Sequence, residues 1–320
     1  MYKVITIGDP LVDTHIKIDH GDSEWTLEDK NQKICLNYGH KIPVSDSFQA
    51  LGGNAANVAV GLQKLGLKTA LLGTIGKDTR GKFILNELKK HKIDTNYITF
   101  DKKNETRYSV ILNYKGERTI LSYSKKKNYN WPKEVPNCEW IYYTSLSKGF
   151  EDMQRKMLSH LSKHPTVRLA INPGSFMIKY GLTSIKEIIP KADLLFVNKE
   201  EAEKLLGLTR SFSMEGLIQK LTSLGAKEVI ITNGEEGSWA GDNENFYFQK
   251  PFPVPVVAKT GAGDAFASGY LAGRINNKGI KECLLWGTAN SSGLIQKQGA
   301  QNGLLNKAGI IKMVEQYKTK

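Results

Sequence analysis

The 320-residue sequence predicts an α/β protein, a three-layer α/β/α sandwich with a largely parallel sheet and a small additional β-sheet. Strand and helix patterns alternate along almost the whole chain, an order typical of a parallel sheet with helices on both faces. Two stretches, residues 11–50 and about 96–124, break this alternation with strand-like, half-polar segments. The length fits a single domain, residues 1–320, that includes this added piece.

The elements of the main sheet follow in order. The strand KVITIG leads, after the first odd stretch, to the helix NAANVAVGLQKLG (54–66), which ends at a glycine. KTALLGTIG predicts the next strand and residues 78–91 the next helix. Further strands are predicted at WIYYTSL, VRLAIN, DLLFVN, EVIITNG and ENFYFQK (244–250), with helices from Phe150, near Ile178, at KEEAEKLLG and from Met214.

The two exceptional stretches predict a small antiparallel flap. They contain THIKID, TRYSVILNY and ERTILSY, in which apolar and polar residues alternate. Such alternation is typical of a sheet with one face over a site and the other face exposed. Because both stretches adjoin strands of the main sheet in the sequence, we expect them to converge into one element.

The composition excludes several classes of protein. Hydrophobic residues make up 40% and charged residues 24%, and no apolar run reaches membrane-spanning length. The N-terminal MYKVITIGDP predicts a strand and a turn rather than a signal peptide. Three cysteines lie far apart without a CxxC motif, and the six histidines show no metal-ligand spacing. We therefore expect reduced thiols, a cytoplasmic location, no membrane contact and no His/Cys metal cage.

The net charge of +13 leaves two interpretations open. Lysine and arginine neutralise phosphates, so the charge suits a nucleic-acid partner. Only seven of the 45 basic residues are arginine, however, and the lysines are spread along the whole chain. A lysine-rich solvated surface that helps with an anionic substrate is the favoured interpretation, and a nucleic-acid-binding protein is the distant alternative.

The stretch VVAKTGAGDAF (256–266) places one acid behind a run of tiny residues. The β-branched residues at 254–257 predict a strand and residues 265–275 a helix, so the GAG sequence forms the turn between them. Such a turn leaves backbone N–H groups uncovered at a helix N-terminus, which is a natural anion site. Asp264 is then either a helix cap or a base beside a bound phosphate.

A second glycine motif opens the first helix. Gly52 and Gly53 permit the backbone to approach a ligand closely, and Asn57 lies on the first helical turn. A tight turn that serves helix packing alone is the other interpretation. Asp13 follows the first strand, where the carboxyl ends of parallel strands bind ligands, and its carboxylate can accept two hydroxyl donors of a polyol.

Two later strand ends carry polar groups. Asn198 ends DLLFVN and Glu201 follows in the first helical turn, an arrangement that can hold a hydrated Mg²⁺ through water. The same pair reads as a capping box, and the two interpretations are compatible. Thr232, with two glycines after it, ends another strand where backbone groups can meet a nucleotide. The sequence has neither a P-loop motif nor the dinucleotide fingerprint.

The motifs GGNAANVAVGLQKLG, NKEEAEKLLG, TNGEEG, TGAGDAF and GAQNG (299–303) occur in the order found in the ribokinase-like (PfkB) carbohydrate kinases. The resemblance covers nearly the whole chain, and GAGD together with the GG-x-x-x-N helix start is its specific part. It implies a ribokinase-like three-layer α/β/α sandwich whose β-sheet lid, here residues 11–50 and 96–124, often pairs two subunits. ATP, Mg²⁺ and a homodimer formed through the lid are therefore expected.

The resemblance also implies a role for each candidate residue. Asp264 resembles the general base that takes the proton from a substrate hydroxyl attacking the γ-phosphate of ATP. Glu201 is expected to hold Mg²⁺ through water. The other residues implied are the anion hole at Gly261, Ala262 and Gly263, the sugar contacts at Asp13, Gly52, Gly53, Asn57, Tyr108 and Arg118, and the nucleotide contacts at Asn198, Thr232, Gly234, Gly237, Thr260 and Asn290.

The substrate stays open between several classes. Asn54 stands where ribokinases usually carry lysine, and GGxxANVAVGLxxLG is more similar to fructokinase-like and ketodeoxygluconate kinase-like members. A nucleoside or a sugar phosphate is the alternative on the same scaffold, since the basic surplus and Arg118 suit a second phosphate.

One departure from the family concerns the monovalent cation. Many relatives read D-T-T-G-A-G-D, and the first aspartate helps to bind that cation, whereas Ala258 and Lys259 stand here in place of Asp-Thr. We therefore expect weak dependence on K⁺. The Lys259 ammonium is expected either near the vacated position or in solvent.

Overall fold

The computed structural model describes residues 1–18, 25–28, 33–114 and 117–318. Within these ranges the chain forms strands β1 (Tyr2–Ile7), β2 (Leu11–Lys17), β3 (Trp25–Glu28), β4 (Lys33–Leu36), β5 (Asp46–Gly52), β6 (Thr69–Gly76), β7 (Ile98–Asp101), β8 (Tyr108–Tyr114), β9 (Glu117–Tyr123), β10 (Cys138–Tyr143), β11 (Arg168–Ile171), β12 (Leu194–Asn198), β13 (Val229–Thr232), β14 (Ser238–Gly241) and β15 (Phe246–Gln249). The α-helices are α1 (Asn54–Lys64), α2 (Thr79–Lys90), α3 (Phe150–Lys163), α4 (Ser175–Tyr180), α5 (Leu182–Ile185), α6 (Lys199–Leu205), α7 (Met214–Ser223), α8 (Ala262–Ile275), α9 (Ile280–Leu294) and α10 (Lys307–Lys318).

The main sheet has nine strands in the order β15-β14-β13-β12-β11-β10-β1-β6-β7. It is parallel from β13 to β7, and β14 and β15 form an antiparallel edge. The predicted α/β class with a largely parallel sheet is confirmed. Because β1 lies between β6 and β10, the chain winds outward from β1 in both directions. This change in the direction of winding at β1 creates a crevice at the carboxyl ends of the strands, where ligands bind in open α/β sheets.

Both faces of the main sheet are buried under helices. Along β10, Trp140 and Tyr142 pack into the core beneath α8 and α9, whereas Ile141 and Tyr143 pack into the core beneath α3 and α7. All four side chains are almost fully buried. A strand covered on both faces needs apolar residues at every position, which is why these strands read as continuous hydrophobic runs.

A second, four-stranded sheet in the order β5-β2-β8-β9 forms the predicted flap, beside a hairpin of β3 and β4. Two details of the prediction are wrong. The pairing of β2 with β8 is parallel, and β7, inside the segment 96–124, belongs to the main sheet. Strands β2 and β8 directly follow β1 and β7, which are parallel, so the chain enters the flap twice in one direction. Residues 19–24, 29–32 and 115–116 of the two lid segments lie outside the described residues.

The predicted strand at 254–257 is also wrong. Pro251, Pro253 and Pro255 alternate through this segment, and a residue without an N–H group cannot donate to a sheet ladder. The chain instead runs extended, and the N–H groups of Val257 and Ala258 both donate to the carbonyl of Ile295. The following helix, α8, begins at residue 262 rather than at residue 265.

A buried carboxylate lies at the end of β1. Asp9 is 1% exposed, and its Oδ2 accepts hydrogen bonds from the Tyr129 hydroxyl (2.6 Å) and from the backbone N–H (3.0 Å) and hydroxyl (2.8 Å) of Ser147. These donors come from the loops on either side of β10. Asp9 therefore connects the end of β1 to both loops.

Two buried cations complete this cluster. The Nζ atom of Lys127 lies 3.8 Å from Asp9 Oδ1, and an Arg107 guanidinium nitrogen lies 3.7 Å from Asp9 Oδ2. Lys127 also donates to the carbonyl of Thr74 in β6 at 2.6 Å. Burial lowers the pKa of Lys127, and the Asp9 charge opposes that shift. The cluster ties the segment that leads into β8 to the centre of the main sheet.

We expect Asp9→Asn to lower the free energy of unfolding by about 3–5 kcal/mol, because two buried cations lose their counter-charge. Urea denaturation at neutral pH measures this difference in the free energy of unfolding. Asp152→Asn is the matched control, since Asp152 pairs with Arg155 and Lys156 on the exposed side of α3. The control should leave the denaturation midpoint nearly unchanged. Equal midpoints for wild type and Asp9→Asn would show that the cluster does not stabilise the fold.

Candidate active site

A cleft of about 500 Å³ opens between the carboxyl ends of the main sheet and the inner face of the flap. The loops and strand ends after β1, β10, β11, β12 and β13 contribute Leu11, Ser145, Asn172, Asn198 and Thr232. The start of α8 closes the floor. The cleft therefore occupies the place where the reversal of strand order predicts a ligand site.

The cleft brings together most of the predicted site residues, although they are far apart in the sequence. Those that line it are Asp13, Gly53, Asn57, Arg118, Asn198, Glu201, Thr232, Thr260, Gly261, Ala262, Gly263 and Asp264. Those that do not line it are Gly52, Tyr108, Gly234, Gly237 and Asn290.

Each of the latter residues has another place. Tyr108 precedes Ser109, which lines the cleft, and successive strand residues face opposite sides; the Tyr108 ring stacks under Arg80 instead. Gly234 begins the short 3₁₀ turn after β13, and Gly237 directly follows it. Asn290 is fully buried in α9, where its amide nitrogen donates to the Ala265 carbonyl and to the Ser268 hydroxyl.

Gly52 supports the cleft without lining it. A Cβ atom at this position would lie 2.1 Å from Asp13 Oδ2, so only glycine lets β5 pass the Asp13 side chain. Asp13 itself is 7% exposed. Burial raises the pKa of Asp13 to about 6; a hydrogen bond from Ser109 lowers it, the Asp264 charge raises it and Arg107 lowers it.

Asp264 lies in the first turn of α8, at the floor of the cleft. Its Oδ2 accepts a hydrogen bond from the Asn57 amide at 2.9 Å. Burial raises the pKa of Asp264 to about 6; the Asn57 hydrogen bond opposes this shift, the Glu201 charge adds to it and Arg118 opposes it. A carboxyl group with this pKa is largely ionised at neutral pH, yet it is a better proton acceptor than an ordinary aspartate.

Asn57 is fixed in turn by a residue that the sequence analysis did not select. The Gln301 amide nitrogen donates to Asn57 Oδ1 at 2.9 Å and to the Leu51 carbonyl at 3.0 Å. Gln301 belongs to the GAQNG motif, so that motif was the available signal. The chain Gln301–Asn57–Asp264 orients the carboxylate toward the cleft.

The turn before Asp264 offers free donors. Gly261 has a left-handed backbone with φ 81°, and a Cβ atom there would lie 2.7 Å from the Ala300 side chain, so the turn requires glycine. The Ala262 N–H donates to the Lys259 carbonyl at 3.3 Å. The N–H groups of Gly261, Gly263 and Asp264 have no partner among residues 1–18, 25–28, 33–114 and 117–318. Three donors at a helix N-terminus therefore remain for an anion.

Asn198 and Glu201 form the predicted capping box. Asn198 Oδ1 accepts from the Glu201 N–H at 2.8 Å, and Glu201 Oε2 accepts from the Asn198 N–H at 2.9 Å. Burial raises the pKa of Glu201. Within the described part of the chain, no three His, Cys, Asp or Glu side chains are close enough to form a metal cage. A cation here would therefore be held by Glu201, water and phosphate oxygens, the set that Mg²⁺ favours.

Two further cleft residues were not selected from the sequence. Asn172 directly follows β11, much as Asn198 ends β12, and its amide nitrogen donates to the Phe196 carbonyl at 2.8 Å. This repeated strand-end asparagine was a usable signal. Arg107 had none, because its partner Asp9 is distant in the sequence.

Lys259 does not point freely into solvent. Its ammonium lies 2.6 Å from Glu117 Oε1 in β9 and 3.3 Å from Glu235 Oε1 after β13. The hydrogen bond to Glu117 is the main cause of the raised pKa of Lys259. The side chain therefore connects the flap to the loop before α8.

The described residues contain no helix that is both long and apolar enough to cross a membrane.

The chain is similar to the ATP-dependent 6-phosphofructokinase of Thermoanaerobacterium thermosaccharolyticum, at 26% identity over 93% of this chain and 89% of that protein. It is also similar to the 5-dehydro-2-deoxygluconokinase of Geobacillus kaustophilus, at 28% identity over 84% of this chain and 85% of that protein.

The fold is similar to that of a solved structure. The nucleoside kinase of Methanocaldococcus jannaschii, an archaeal member of the ribokinase family, superimposes with a TM-score of 0.78 at 21% identity over 99% of both chains. The family model "pfkB family carbohydrate kinase" matches residues 23–307. The chain therefore belongs to the PfkB family of carbohydrate kinases.

Proposed function

We propose that this kinase transfers the γ-phosphate of ATP to a hydroxyl of a small sugar, with Asp264 as the general base. The observation that carries the proposal is the start of α8, where the Asp264 carboxylate adjoins three free N–H groups at the floor of the cleft. A base beside an anion site is what phosphoryl transfer to a hydroxyl requires.

Two of the three carboxylates of the cleft, Asp13 and Asp264, have different tasks toward the sugar. Asp13, on the flap, accepts hydrogen bonds from substrate hydroxyls, with Gly53 and Asn57 as neighbouring contacts. Asp264 accepts the proton of the attacking hydroxyl. The N–H groups of Gly261, Gly263 and Asp264 stabilise the negative charge on the transferring phosphoryl group, and the α8 dipole adds to that field.

The other side of the cleft suits a nucleotide. Asn198, Thr232 and Thr260 line it near the strand ends and can contact the phosphates. Glu201 fits a hydrated Mg²⁺, because it lines the cleft and its Oε1 has no hydrogen-bond partner in the described ranges. Bound Mg²⁺ would neutralise phosphate charge. Gly234, Gly237 and Asn290 are better explained as support for this wall than as contacts.

The sugar is proposed to be of the fructokinase or ketodeoxygluconate kinase type, with a nucleoside or a sugar phosphate as the alternative. A cytoplasmic location and a homodimer through the flap, which we call the lid from here on, stay proposals. Leu121 supports the dimer, since it is 57% exposed on the edge strand β9. Nucleic-acid binding stays the distant alternative, motivated by net charge alone.

We expect Asp264→Asn to lower kcat by at least about 10²-fold, because the amide cannot accept the hydroxyl proton. Coupled ADP-release assays over a panel of sugars, sugar phosphates and nucleosides would measure this. Nucleotide binding by calorimetry should persist, which distinguishes a chemical defect from a folding defect. A variant that keeps near-wild-type kcat would refute the role of Asp264.

The same variant should be more stable than the wild type at neutral pH. The pKa of Asp264 in the folded protein, about 6, lies above its ordinary value of 3.8, so folding disfavours the ionised form. This penalty is absent below about pH 4, grows as the pH rises and is complete above about pH 6. The amide of the Asp264→Asn variant does not ionise and escapes the penalty, so we expect a gain of about 1–3 kcal/mol at pH 7.5.

Urea denaturation of the wild type and of Asp264→Asn at pH 7.5 and at pH 4 tests whether the variant is more stable only at the higher pH. The gain should shrink toward zero at the lower pH. A variant that is less stable than the wild type at pH 7.5, or equally stabilised at both pH values, would contradict a raised pKa at this position.

We expect this kinase to depend little on K⁺. Ala258 supplies no carboxylate, and the fixed Lys259 ammonium already joins the lid to the loop before α8. Activity in K⁺ and in tetramethylammonium salts at one ionic strength should be similar. Lys259→Ala should raise the sugar KM by up to about fivefold, and the exposed Lys250→Ala is its control. A K⁺ activation of about tenfold or more would contradict this expectation.

A further inference from the structure

A second cavity of about 210 Å³ lies at the outer end of the lid. It lies between the inner face of the lid and the two loops at residues 257–260 and 298–299. Arg118 and Thr260 line both this outer cavity and the main cleft. The outer cavity therefore continues the cleft away from the Asp264 floor.

Strand register places the outer cavity along the length of the substrate site. On the inner face of the lid, Asp13 is followed at intervals of two residues by His15 and Lys17. Lys17 in β2 and Arg118 in β9 both lie opposite Asn113, and Lys17 is four residues along β2 from Asp13. Since two residues of a strand span about 7 Å, Lys17 and Arg118 lie about 13 Å beyond Asp13. One elongated ligand can contact both ends.

His15 carries a buried donor at this outer end. It is 4% exposed and stacks on Phe48 at 4.6 Å. The Asn113 amide nitrogen lies 3.4 Å from His15 Nδ1 and also donates to the carbonyls of Ile16 and Ile111, which fixes the amide orientation. An amide nitrogen can only donate, so one Asn113 N–H is shared between a carbonyl and His15 Nδ1, and Nδ1 is the acceptor.

The proton of the neutral ring is consequently on Nε2. Burial lowers the pKa of His15, so the ring is neutral at physiological pH. Nε2 is buried and has no hydrogen-bond partner in the described part of the chain. A buried N–H group without a hydrogen-bond acceptor costs free energy, and a ligand that supplies the acceptor removes this cost.

The charges around the outer cavity favour an anionic acceptor. Glu117, one of the two described carboxylates that line this cavity, is engaged by Lys259, so Glu117 does not compensate the charge of the neighbouring Arg118. The Arg118 guanidinium has no ion pair with any described residue, and its charge reaches Asp264, whose pKa it lowers. A guanidinium group without an ion-pair partner can donate two parallel hydrogen bonds to a phosphate or a carboxylate.

We propose that the outer cavity is a subsite for a terminal anionic group of the substrate, bound by the Nε2–H of His15 and by the guanidinium of Arg118. The inference rests on the proposed function, since it assumes that a hydroxyl of the same molecule lies at Asp264. It assigns the substrate to sugar phosphates or sugar acids rather than to neutral sugars or nucleosides. Phosphate and carboxylate share the acceptor chemistry, and the test separates them.

Calorimetry with four probes tests the subsite on the intact enzyme: D-fructose 6-phosphate, 2-keto-3-deoxy-D-gluconate, D-fructose and inosine. We expect one of the two anionic probes to bind at least about tenfold more tightly than either neutral probe, as a charge-assisted hydrogen bond allows. The better anion identifies the group, phosphate or carboxylate. Arg118→Ala and His15→Phe, which keeps the stacking on Phe48, should each reduce that preference about tenfold.

Two control variants should keep the preference. Thr119→Ala lies next to Arg118 on β9 but not in the cavity, and Arg210→Ala removes an exposed arginine elsewhere. Equal binding of neutral and anionic probes by the wild type, or equal losses for all probes in Arg118→Ala, would overturn the subsite. Turnover with ATP, measured in parallel, tests the proposed function separately. Anion-selective binding without turnover would contradict the function and keep the subsite, whereas turnover without selectivity would do the reverse.

Discussion

The buried carboxylate of Asp9 connects the main sheet with the segment that leads into the lid. A carboxylate without access to water needs compensating partners: Asp9 Oδ2 accepts hydrogen bonds from both loops around β10, and Oδ1, which has no hydrogen-bond partner among the described residues, lies 3.8 Å from the Lys127 ammonium. Lys127 extends the cluster to β6, and Arg107 leads directly into β8 of the lid. The orientation of the lid over the cleft thus depends on charge neutralisation in the main sheet.

The cleft works against the stability of the fold. Asp13 and Asp264 face one site, burial and nearby carboxylates raise the pKa of both, and the three N–H groups at the start of α8 remain without partners in the described chain. None of these features stabilises the folded chain. They are tolerated because the double-sided core of the main sheet is large and because the Gln301–Asn57 pair holds Asp264 in place. Local conflict with the rules of folding is expected at a functional site.

Most of the main sheet could be predicted from the sequence because hydrophobic period and turn residues are local signals. The failures have specific causes. Alternating prolines override the β-branched pattern at 254–257, and the parallel pairing of β2 with β8 depends on where β1 and β7 lie in the finished sheet. Residues such as Asn198 and Thr232 could be predicted as site residues because they end strands. Arg107 could not, because its ion-pair partner is remote in the sequence. Tyr108 was expected in the cleft, but the alternation of side chains along β8 places the next residue there instead.

Lys259 gives the loop before α8 a fixed positive charge. A diffusible cation stabilises an anion site to an extent that depends on its concentration, whereas a lysine supplies its charge permanently and from one direction. Here that charge is shared with Glu117 on the lid and with Glu235 after β13, so it is already neutralised and contributes mainly to position. The engagement of Glu117 by Lys259 leaves the neighbouring Arg118 unpaired within the described chain, between the two cavities. The ion pair that fixes Lys259 is therefore also the reason why the arginine next to Glu117 stays available to a ligand.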